Sequence, residues 1–159
     1  MIEIVEYSND YAKELSKIIL DNMYEINIKD HGKEVIDKLS EYFSEDAIKK
    51  NFPNRTKCIV ALNDNEVVGT ASIDRFRGDE TGEKYILLTV FVKMENHHQG
   101  IGKKLIQSID EIAANVGCKE LVVFASVYAC DFYRKFGFDY LDGKAVQNED
   151  NEYVLVKKY

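Results

Sequence analysis

The amino-acid sequence predicts an α/β fold of the α+β type: a mixed, mostly antiparallel central sheet with one parallel strand pair, flanked by helices. Two observations carry this prediction. Short apolar runs recur along the chain between polar turns, which is typical of strands. An amphipathic pattern over residues 100–116 also lies between two strongly apolar runs, residues 85–92 and 121–125. This strand–helix–strand order implies a parallel pair with a right-handed crossover.

The N-terminal half of the chain predicts a strand, two helices and a hairpin. Ile2 and Ile4 alternate with polar neighbours, as in a half-buried strand. Two amphipathic segments follow, and their apolar positions are Leu15, Ile18, Ile19 and Met23 in the first and Val35, Ile36, Leu39 and Phe43 in the second. Two apolar runs, residues 58–62 and 67–73, then flank an Asn-Asp-Asn turn at residues 63–65, which indicates a β-hairpin.

The C-terminal half begins with the clearest helix of the chain. Its apolar residues recur at spacings of three and four, and they are Ile101, Leu105, Ile109, Ile112 and Val116. Gly117 would end this helix. The following residues predict a buried strand at 121–125, a short helix that ends at Gly137, and terminal strands at 138–141 and 153–156.

Length, charge and cysteine content limit the class of protein. The 159 residues predict one domain that covers residues 1–159. A net charge of −7 argues against a nucleic-acid partner, which requires a basic face. No apolar run is long enough to cross a membrane, and the start of the chain lacks the basic segment of a secretory signal. The cysteines Cys58, Cys118 and Cys130 show no paired spacing, which favours reduced thiols and a cytoplasmic location.

The turn before the central helix is the most informative short motif. Gly100 and Gly102 leave backbone N–H groups unobstructed at a helix N-terminus, where unpaired donors and the helix dipole attract phosphate. Taken alone, the two glycines fit a tight turn with close helix packing equally well. A dinucleotide fingerprint would need a third glycine after the first strand of a repeated βαβ array, which argues against NAD or FAD. A Walker A loop is also absent.

A second motif downstream gives the glycine turn a more specific meaning. The two motifs read His97-x-x-Gly100-x-Gly102 and Ser126-x-x-Ala129-x-x-Phe132-Tyr133-x-x-x-Gly137-Phe138. In this order they resemble the GNAT superfamily of acetyl-coenzyme A-dependent N-acetyltransferases, and the order of elements fits that family from Ile2 to the C-terminus. The chain departs from the family pattern at His97, where Gln or Arg is usual, and at Ser126, where Asn is common.

The resemblance implies that an acetyl group passes from acetyl-coenzyme A to a primary amine of a small molecule or peptide, by direct attack through a tetrahedral intermediate. The parallel strands would splay, so that one pairs with the pantetheine arm and stabilises the oxyanion, while amides of the turn hold the pyrophosphate. The implied cofactor-binding residues are Val90, Phe91, Val92, His97, His98, Gln99, Gly100, Ile101, Gly102, Lys103, Ser126 and Tyr133. No metal is expected, because two adjacent histidines lack the spacing of a metal pair and no third ligand is evident.

The resemblance also makes Tyr133 the expected general acid, which protonates the departing thiolate; packing against Phe132 is the structural alternative. The general base is less evident, since residues 86–92 contain no acid. Glu83, just before that run, is one candidate, and water without a dedicated base is the other. The missing acid leaves open a second function, an acyl-coenzyme A-binding or sensing module without turnover.

Residues 24–31 and 148–152 are expected to shape the acceptor site, and their acidic side chains would suit a cationic amine. The partners predicted from these observations are an amine substrate, with neither nucleic acid nor membrane. The sequence leaves the oligomeric state open, with a homodimer as one option.

Overall fold

Seven strands form one sheet, and the computed structural model describes all of residues 1–159. The strands are β1 (Ile2–Glu6), β2 (Lys57–Asn63), β3 (Glu66–Arg75), β4 (Lys84–Val92), β5 (Glu120–Ala125), β6 (Asp139–Tyr140) and β7 (Tyr153–Lys158). They lie in the order β1-β2-β3-β4-β5-β7-β6, and β4 and β5 are the only neighbours that run parallel. The predicted α/β class, with a mostly antiparallel sheet and one parallel pair, is confirmed.

Five α-helices connect and cover the strands. They are α1 (Ala12–Asn22), α2 (Ile28–Ser40), α3 (Glu45–Asn51), α4 (Ile101–Asn115) and α5 (Cys130–Arg134). A π-helical turn joins α1 to α2, and α2 changes direction at Gly32, where φ is 79°. The sequence does not predict α3, whose N-terminus is capped by the Ser44 side chain as it accepts a hydrogen bond from the Ala47 N–H at 3.1 Å. None of these helices has the length and apolarity that crossing a membrane requires.

The two faces of the sheet are covered by different helices, because successive strand residues point to opposite sides. On one face, α4 buries its apolar stripe against the strands, including Leu105 and Ile109. On the other face, α1 and α3 bury Leu15, Ile19 and Ile48. The stripe predicted for the central helix is therefore confirmed, and the middle strands are held between two apolar cores.

The observed ends of the strands agree well with the predicted apolar runs at the β2–β3 hairpin and less well near the C-terminus. The β2–β3 turn consists of Asp64 and Asn65, whose φ values of 50° and 72° are those of a two-residue type I′ turn. At the other end of the chain, the predicted strand over residues 138–141 is reduced to the two residues of β6. Asp142, with φ of 55°, lies in a short 3₁₀ turn directly after it. The backbone therefore leaves the sheet earlier than the apolar run predicts.

The parallel strands β4 and β5 pair only at their beginnings. Their register runs from Lys84 opposite Glu120 to Ile86 opposite Val122, and no pairing continues beyond it. β5 remains paired with β7 to its last residue, Ala125, and β4 remains paired with β3 to Val92. The sheet is therefore open between the C-terminal halves of β4 and β5, and each strand presents backbone groups to the gap.

A β-bulge bends β4 where this gap opens. Ser72 of β3 lies opposite Leu88, whereas Thr70 lies opposite Phe91, so β4 carries one extra residue. Thr89 sits in the bulge with φ of 54°, a backbone region that costs a β-branched residue about 1–3 kcal/mol. Arg55 supports it, since Nη1 donates to Thr89 Oγ1 at 2.9 Å and to Ser72 Oγ at 3.1 Å.

Replacing Arg55 with Lys should lower the free energy of unfolding by about 1–3 kcal/mol, because an ammonium group cannot reproduce the planar, multiply donating guanidinium. The guanidinium also lies 4.2 Å from the ring centre of Phe52, a contact that Lys would weaken. Urea denaturation followed by circular dichroism measures the change. Arg77→Lys is the matched control, since Arg77 is exposed, and equal stability of the two variants would contradict a supporting role for Arg55.

Candidate functional site

The loop that enters α4 is built to expose backbone donors. His98 and Gly100 both adopt positive φ, 64° and 80°, and α4 begins immediately afterwards. The amides of residues 98–103 make no hydrogen bond within the protein. A left-handed cap followed by free amides at a helix N-terminus forms a concave group of donors with positive potential. This arrangement fits a diphosphate, as the glycine turn predicts.

The two glycines of this loop have different physical roles. A Cβ on Gly100 would meet nothing within 4 Å, so glycine serves its positive φ there. A Cβ on Gly102 would lie 2.9 Å from Cζ of Phe132, so glycine allows α5 to pack against the start of α4. The two sequence motifs are therefore in direct contact, which their separation along the chain does not indicate.

The histidine at the start of the motif ties the loop to the end of β4. His97 Nε2 lies 2.8 Å from the Val92 carbonyl oxygen, and the buried Asn22 side chain donates to the same oxygen at 2.9 Å. His98, Gln99 and Lys103 are exposed beside the free amides. Asn22 is a site residue that the sequence analysis missed, since a single polar residue on an apolar helix face carries no distinctive signal.

Pairing with β3 determines which backbone groups of β4 face the gap. The Lys93 N–H donates to the Val68 oxygen at 2.8 Å, and alternation along an antiparallel ladder then turns the backbone groups of Phe91 towards β3. The same alternation turns those of Val90 and Val92 towards the gap. The Val92 carbonyl is already bonded to His97 and Asn22. Val90 therefore offers both a donor and an acceptor to a ligand, and Val92 offers its N–H.

The gap between β4 and β5 widens into a cleft of about 380 Å³. Most of its lining is apolar, and the α1–α2 region and Glu152 of the β6–β7 loop contribute to it. The lining comprises Leu87, Leu88, Thr89, Val90 and Phe91 of β4, residues 123–126 and Ala129, Met23, Asn27, His31, Ile36, Leu39 and Phe43 from the helical side, and Tyr133 and Glu152. The cleft thus joins the exposed edge of β4 to three titratable side chains.

Tyr133 is placed in this cleft by the short helix α5. Its ring is packed edge-on against Phe132 and Phe138, with ring centres 5.2 Å and 5.6 Å away, and the residue is 7% exposed. Its hydroxyl makes no hydrogen bond within the protein. Burial, with a smaller contribution from Cys130, raises the pKa of the phenol, so the hydroxyl stays protonated at neutral pH. Tyr133 can therefore donate a proton to a group bound between the strands.

Ser126 also lines the cleft, at the end of β5. Its carbonyl oxygen accepts a weak hydrogen bond from the Cys130 thiol at 3.3 Å, which holds the turn between β5 and α5. Burial raises the pKa of the Cys130 thiol, so this cysteine is a poor nucleophile. The buried Cys130 side chain therefore helps to hold the turn that leads into α5 and positions Tyr133.

The structure does not bring Glu83 to this cleft. Glu83 precedes β4, its side chain is exposed, and its carbonyl oxygen accepts the Lys119 N–H at 2.8 Å. The cleft is lined by β4 only from Leu87 onwards, whereas Glu83 precedes the first residue of the strand. Alternation along a strand shows on which face of the sheet a residue lies. Whether that residue also reaches the cleft depends on where β4 and β5 separate.

Two titratable residues of the cleft, His31 and Glu152, come from the segments that the sequence analysis expected to shape the acceptor site. His31 lies on α2 and Glu152 at the end of the β6–β7 loop, and both are partly buried. Neither residue stands out in the sequence, because Asp30, Glu149 and Asp150 beside them are titratable residues in the same polar segments. Only burial in the folded chain separates Glu152 from the exposed acids of its loop.

Comparison with known families and structures bears on this geometry. The model of the acetyltransferase (GNAT) family matches residues 20–138. PaiA N-acetyltransferase from Thermoplasma acidophilum, solved in complex with coenzyme A, is similar in fold with a TM-score of 0.82 at 20% identity, over 100% of this chain and 99% of that one. A GNAT-family acetyltransferase from Staphylococcus aureus gives 0.76 at 20% identity, over 99% of both chains.

A third similar structure is N-acetylglutamate synthase from Neisseria gonorrhoeae, complexed with coenzyme A and L-arginine. It gives a TM-score of 0.72 at 12% identity, over 99% of this chain and 33% of that one. A comparison with curated protein sequences finds no match. At these identities the solved structures establish the fold, and the family model, which spans most of the chain, establishes the relationship. The chain belongs to the acetyltransferase (GNAT) family.

Proposed function

We propose that this protein is an N-acetyltransferase, a single catalytic domain over residues 1–159 that transfers an acetyl group from acetyl-coenzyme A to a primary amine. The observation that carries the proposal is the gap between β4 and β5: Tyr133, whose hydroxyl is unbonded, lines it, and the path along β4 continues past Val92 to the loop with the free amides of residues 98–103. An elongated ligand with a diphosphate at one end and a reactive group at the other matches this path. Cytoplasmic location and homodimer formation stay predictions.

The chain's own groups account for cofactor binding. The free amides from His98 to Lys103 bind the diphosphate, and Lys103 adds positive charge beside them. The Val90 carbonyl and the Val92 N–H pair with the amides of the pantetheine arm, in place of the strand partner that β4 lacks on this side. His97 acts mainly by holding the loop against β4, since its ring is bonded to the Val92 carbonyl. Ser126 borders the opposite wall of the gap.

The chemical step uses an N–H donor and a proton donor. When bound, acetyl-coenzyme A supplies a thioester whose carbonyl carbon is attacked by a neutral amine. The Val90 N–H stabilises the negative charge that develops on the thioester oxygen, a contribution that grows in a water-poor cleft. Tyr133, which is protonated at neutral pH, donates its proton to the sulfur as negative charge develops there.

An amine panel tests this function. We expect purified protein to release thiol from acetyl-coenzyme A, followed with a thiol-reactive dye, when n-hexylamine, phenethylamine, ethanolamine or lysine is supplied. The rate should depend on the amine and fall to background without it. Tight binding of coenzyme A by calorimetry with no thiol release from any amine would support the second candidate, an acyl-coenzyme A-binding module without turnover. Tighter binding of NAD or ATP than of coenzyme A would contradict both.

A further inference from the structure

We infer that Glu152 receives the acceptor amine: its carboxylate binds the ammonium group and then accepts a proton from it. The inference rests on the proposed acetyl transfer and gives that reaction the base that β4 does not contain. It also limits the acceptor to a primary amine on an apolar body, because of the walls that surround the carboxylate.

The backbone of Glu152 is fixed before any ligand arrives. Its N–H donates to Asn148 Oδ1 at 3.0 Å, and the Asn148 N–H donates to the Glu152 carbonyl oxygen at 2.8 Å. This reciprocal pair closes the β6–β7 loop just before β7 begins at Tyr153. The side chain of Glu152 therefore lines the cleft from a hydrogen-bonded loop, and Tyr133 lines the same cleft.

The carboxylate of Glu152 forms no salt bridge within the protein. No Lys, Arg or His nitrogen lies within 4.0 Å of it, although nine ion pairs form elsewhere in the chain. A partly buried anion in a mostly apolar cleft is unfavourable until a cation pairs with it. An alkyl ammonium is such a cation, and it is the form in which an amine with a pKa near 10.4 reaches the protein at neutral pH.

The groups around Glu152 favour proton transfer. Burial is the largest cause that raises the pKa of this carboxyl, and the negative charge of Asp150 on the same loop acts in the same direction. His31 on α2 and the Asn148 side chain oppose the rise. A carboxylate with a raised pKa is a stronger base, and so accepts a proton from a bound ammonium more readily than an exposed acid does.

The remaining walls define the body of the acceptor. Met23, Ile36, Leu39 and Phe43 contribute apolar surface on the helical side of the cleft, and Glu152 is its only acid. Such walls bind a hydrocarbon body by excluding water, and they offer no partner to a second charge. An alkyl or aryl-alkyl amine fits this lining, whereas a zwitterionic amino acid would bury a carboxylate beside Glu152.

The protons balance when Glu152 and Tyr133 act in one reaction. One N–H bond of the ammonium breaks, and its proton moves to the Glu152 carboxylate, which leaves a neutral nitrogen with its electron pair. A C–N bond then forms and the C–S bond breaks, while Tyr133 gives its proton to the sulfur. A second N–H proton leaves the nitrogen and restores the phenol. Glu152 finally releases its proton to solvent, so each turnover yields one amide, one thiol and one proton.

Glu152→Gln tests the inference, with Glu34→Gln as the matched control because Glu34 is an exposed glutamate on α2 outside the cleft. With n-hexylamine and acetyl-coenzyme A at pH 7, we expect kcat/KM to fall about 100-fold in Glu152→Gln and to stay unchanged in the control. The deficit should shrink towards pH 10, since solvent then deprotonates the amine. Ethanolamine and lysine should be poorer acceptors than n-hexylamine for the wild-type protein.

A binding measurement separates this inference from the proposed function. Calorimetric titration of n-hexylamine into coenzyme A-saturated protein should show affinity at least about 10-fold weaker for Glu152→Gln than for wild type, with coenzyme A affinity unchanged. Equal rates and equal amine affinities for both glutamine variants, in a preparation that releases thiol, would overturn the role of Glu152 and leave acetyl transfer intact. Absence of thiol release from wild type would instead refute the transferase, while the calorimetry would still test the ammonium site.

Discussion

Gly102→Val is expected to weaken coenzyme A binding by about 10- to 100-fold while the protein remains folded. The added Cβ would lie 2.9 Å and 3.0 Å from two ring carbons of Phe132, so either α5 or the start of α4 must move. Movement of α4 misplaces free amides of the loop, and each hydrogen bond to a charged phosphate contributes about 1.5–3 kcal/mol. Isothermal titration calorimetry with coenzyme A measures the loss, and thermal unfolding checks the fold.

A second substitution at Phe132 can show whether the loss of affinity in Gly102→Val comes from this collision or from the larger side chain in general. Phe132→Ala removes the ring that the valine would strike, so the double variant should recover part of the affinity that Gly102→Val loses. If the loss of binding free energy in the double variant equalled the sum of the losses in the two single variants, the collision would not be the cause. Gly100→Ala provides a contrast, since its Cβ meets nothing and its cost arises from the positive φ alone.

Tyr133→Phe is expected to lower kcat for amine acetylation by about 10- to 100-fold and to leave coenzyme A affinity nearly unchanged. General acid catalysis contributes about 100- to 10,000-fold, and a thiolate already leaves readily, so the lower part of that range applies. Packing should be preserved, because the hydroxyl makes no hydrogen bond within the protein and the ring contacts with Phe132 and Phe138 remain. Steady-state rates and calorimetry on the same preparation separate the two effects.

The control for this variant is Tyr128→Phe, which removes a hydroxyl from the same segment at a side chain that is 65% exposed and outside the cleft. Its kcat should equal that of the wild-type protein. Burial raises the pKa of Tyr133, so the acid form persists to higher pH than in an exposed tyrosine. An unchanged kcat in Tyr133→Phe across the pH range would remove the proton-donor role from this residue.

Local spacing was sufficient to predict the central part of the fold. The apolar face predicted for α4 is confirmed, because residues three or four apart lie on the same side of a helix and are buried together. The parallel pair is confirmed because a single helix between two apolar strands requires a crossover. The hairpin at Asp64 and Asn65 is confirmed because these residue types tolerate the positive φ of the turn. By contrast, α3 has too short an apolar repeat to be recognised without its packing against α1.

In the candidate site too, features that depend on neighbouring residues can be predicted from the sequence, and contacts between distant residues cannot. Gly100 is readable from sequence, since it serves the conformation of its own backbone. The close approach of Gly102 to Phe132 is not readable, because it joins two helices that are separated by a whole strand. Likewise, the alternation of residues along β4 puts Glu83 on a plausible face, but β4 separates from β5 only after Ile86, so Glu83 precedes the part of the strand that lines the cleft.

The class of fold, the helix that begins at the glycine turn and the family resemblance all follow from the order of residues alone. These depend on spacing and backbone conformation within short segments, which the residue types encode directly. The electrostatics of the cleft, in contrast, depend on how distant parts of the chain pack together. His31 and Glu152 are separated by more than 100 residues in the sequence, and both line, with Tyr133, the cleft that lies where β4 and β5 no longer pair. Burial then distinguishes one acid from its exposed neighbours, and burial is a property of the packed chain rather than of any residue within it.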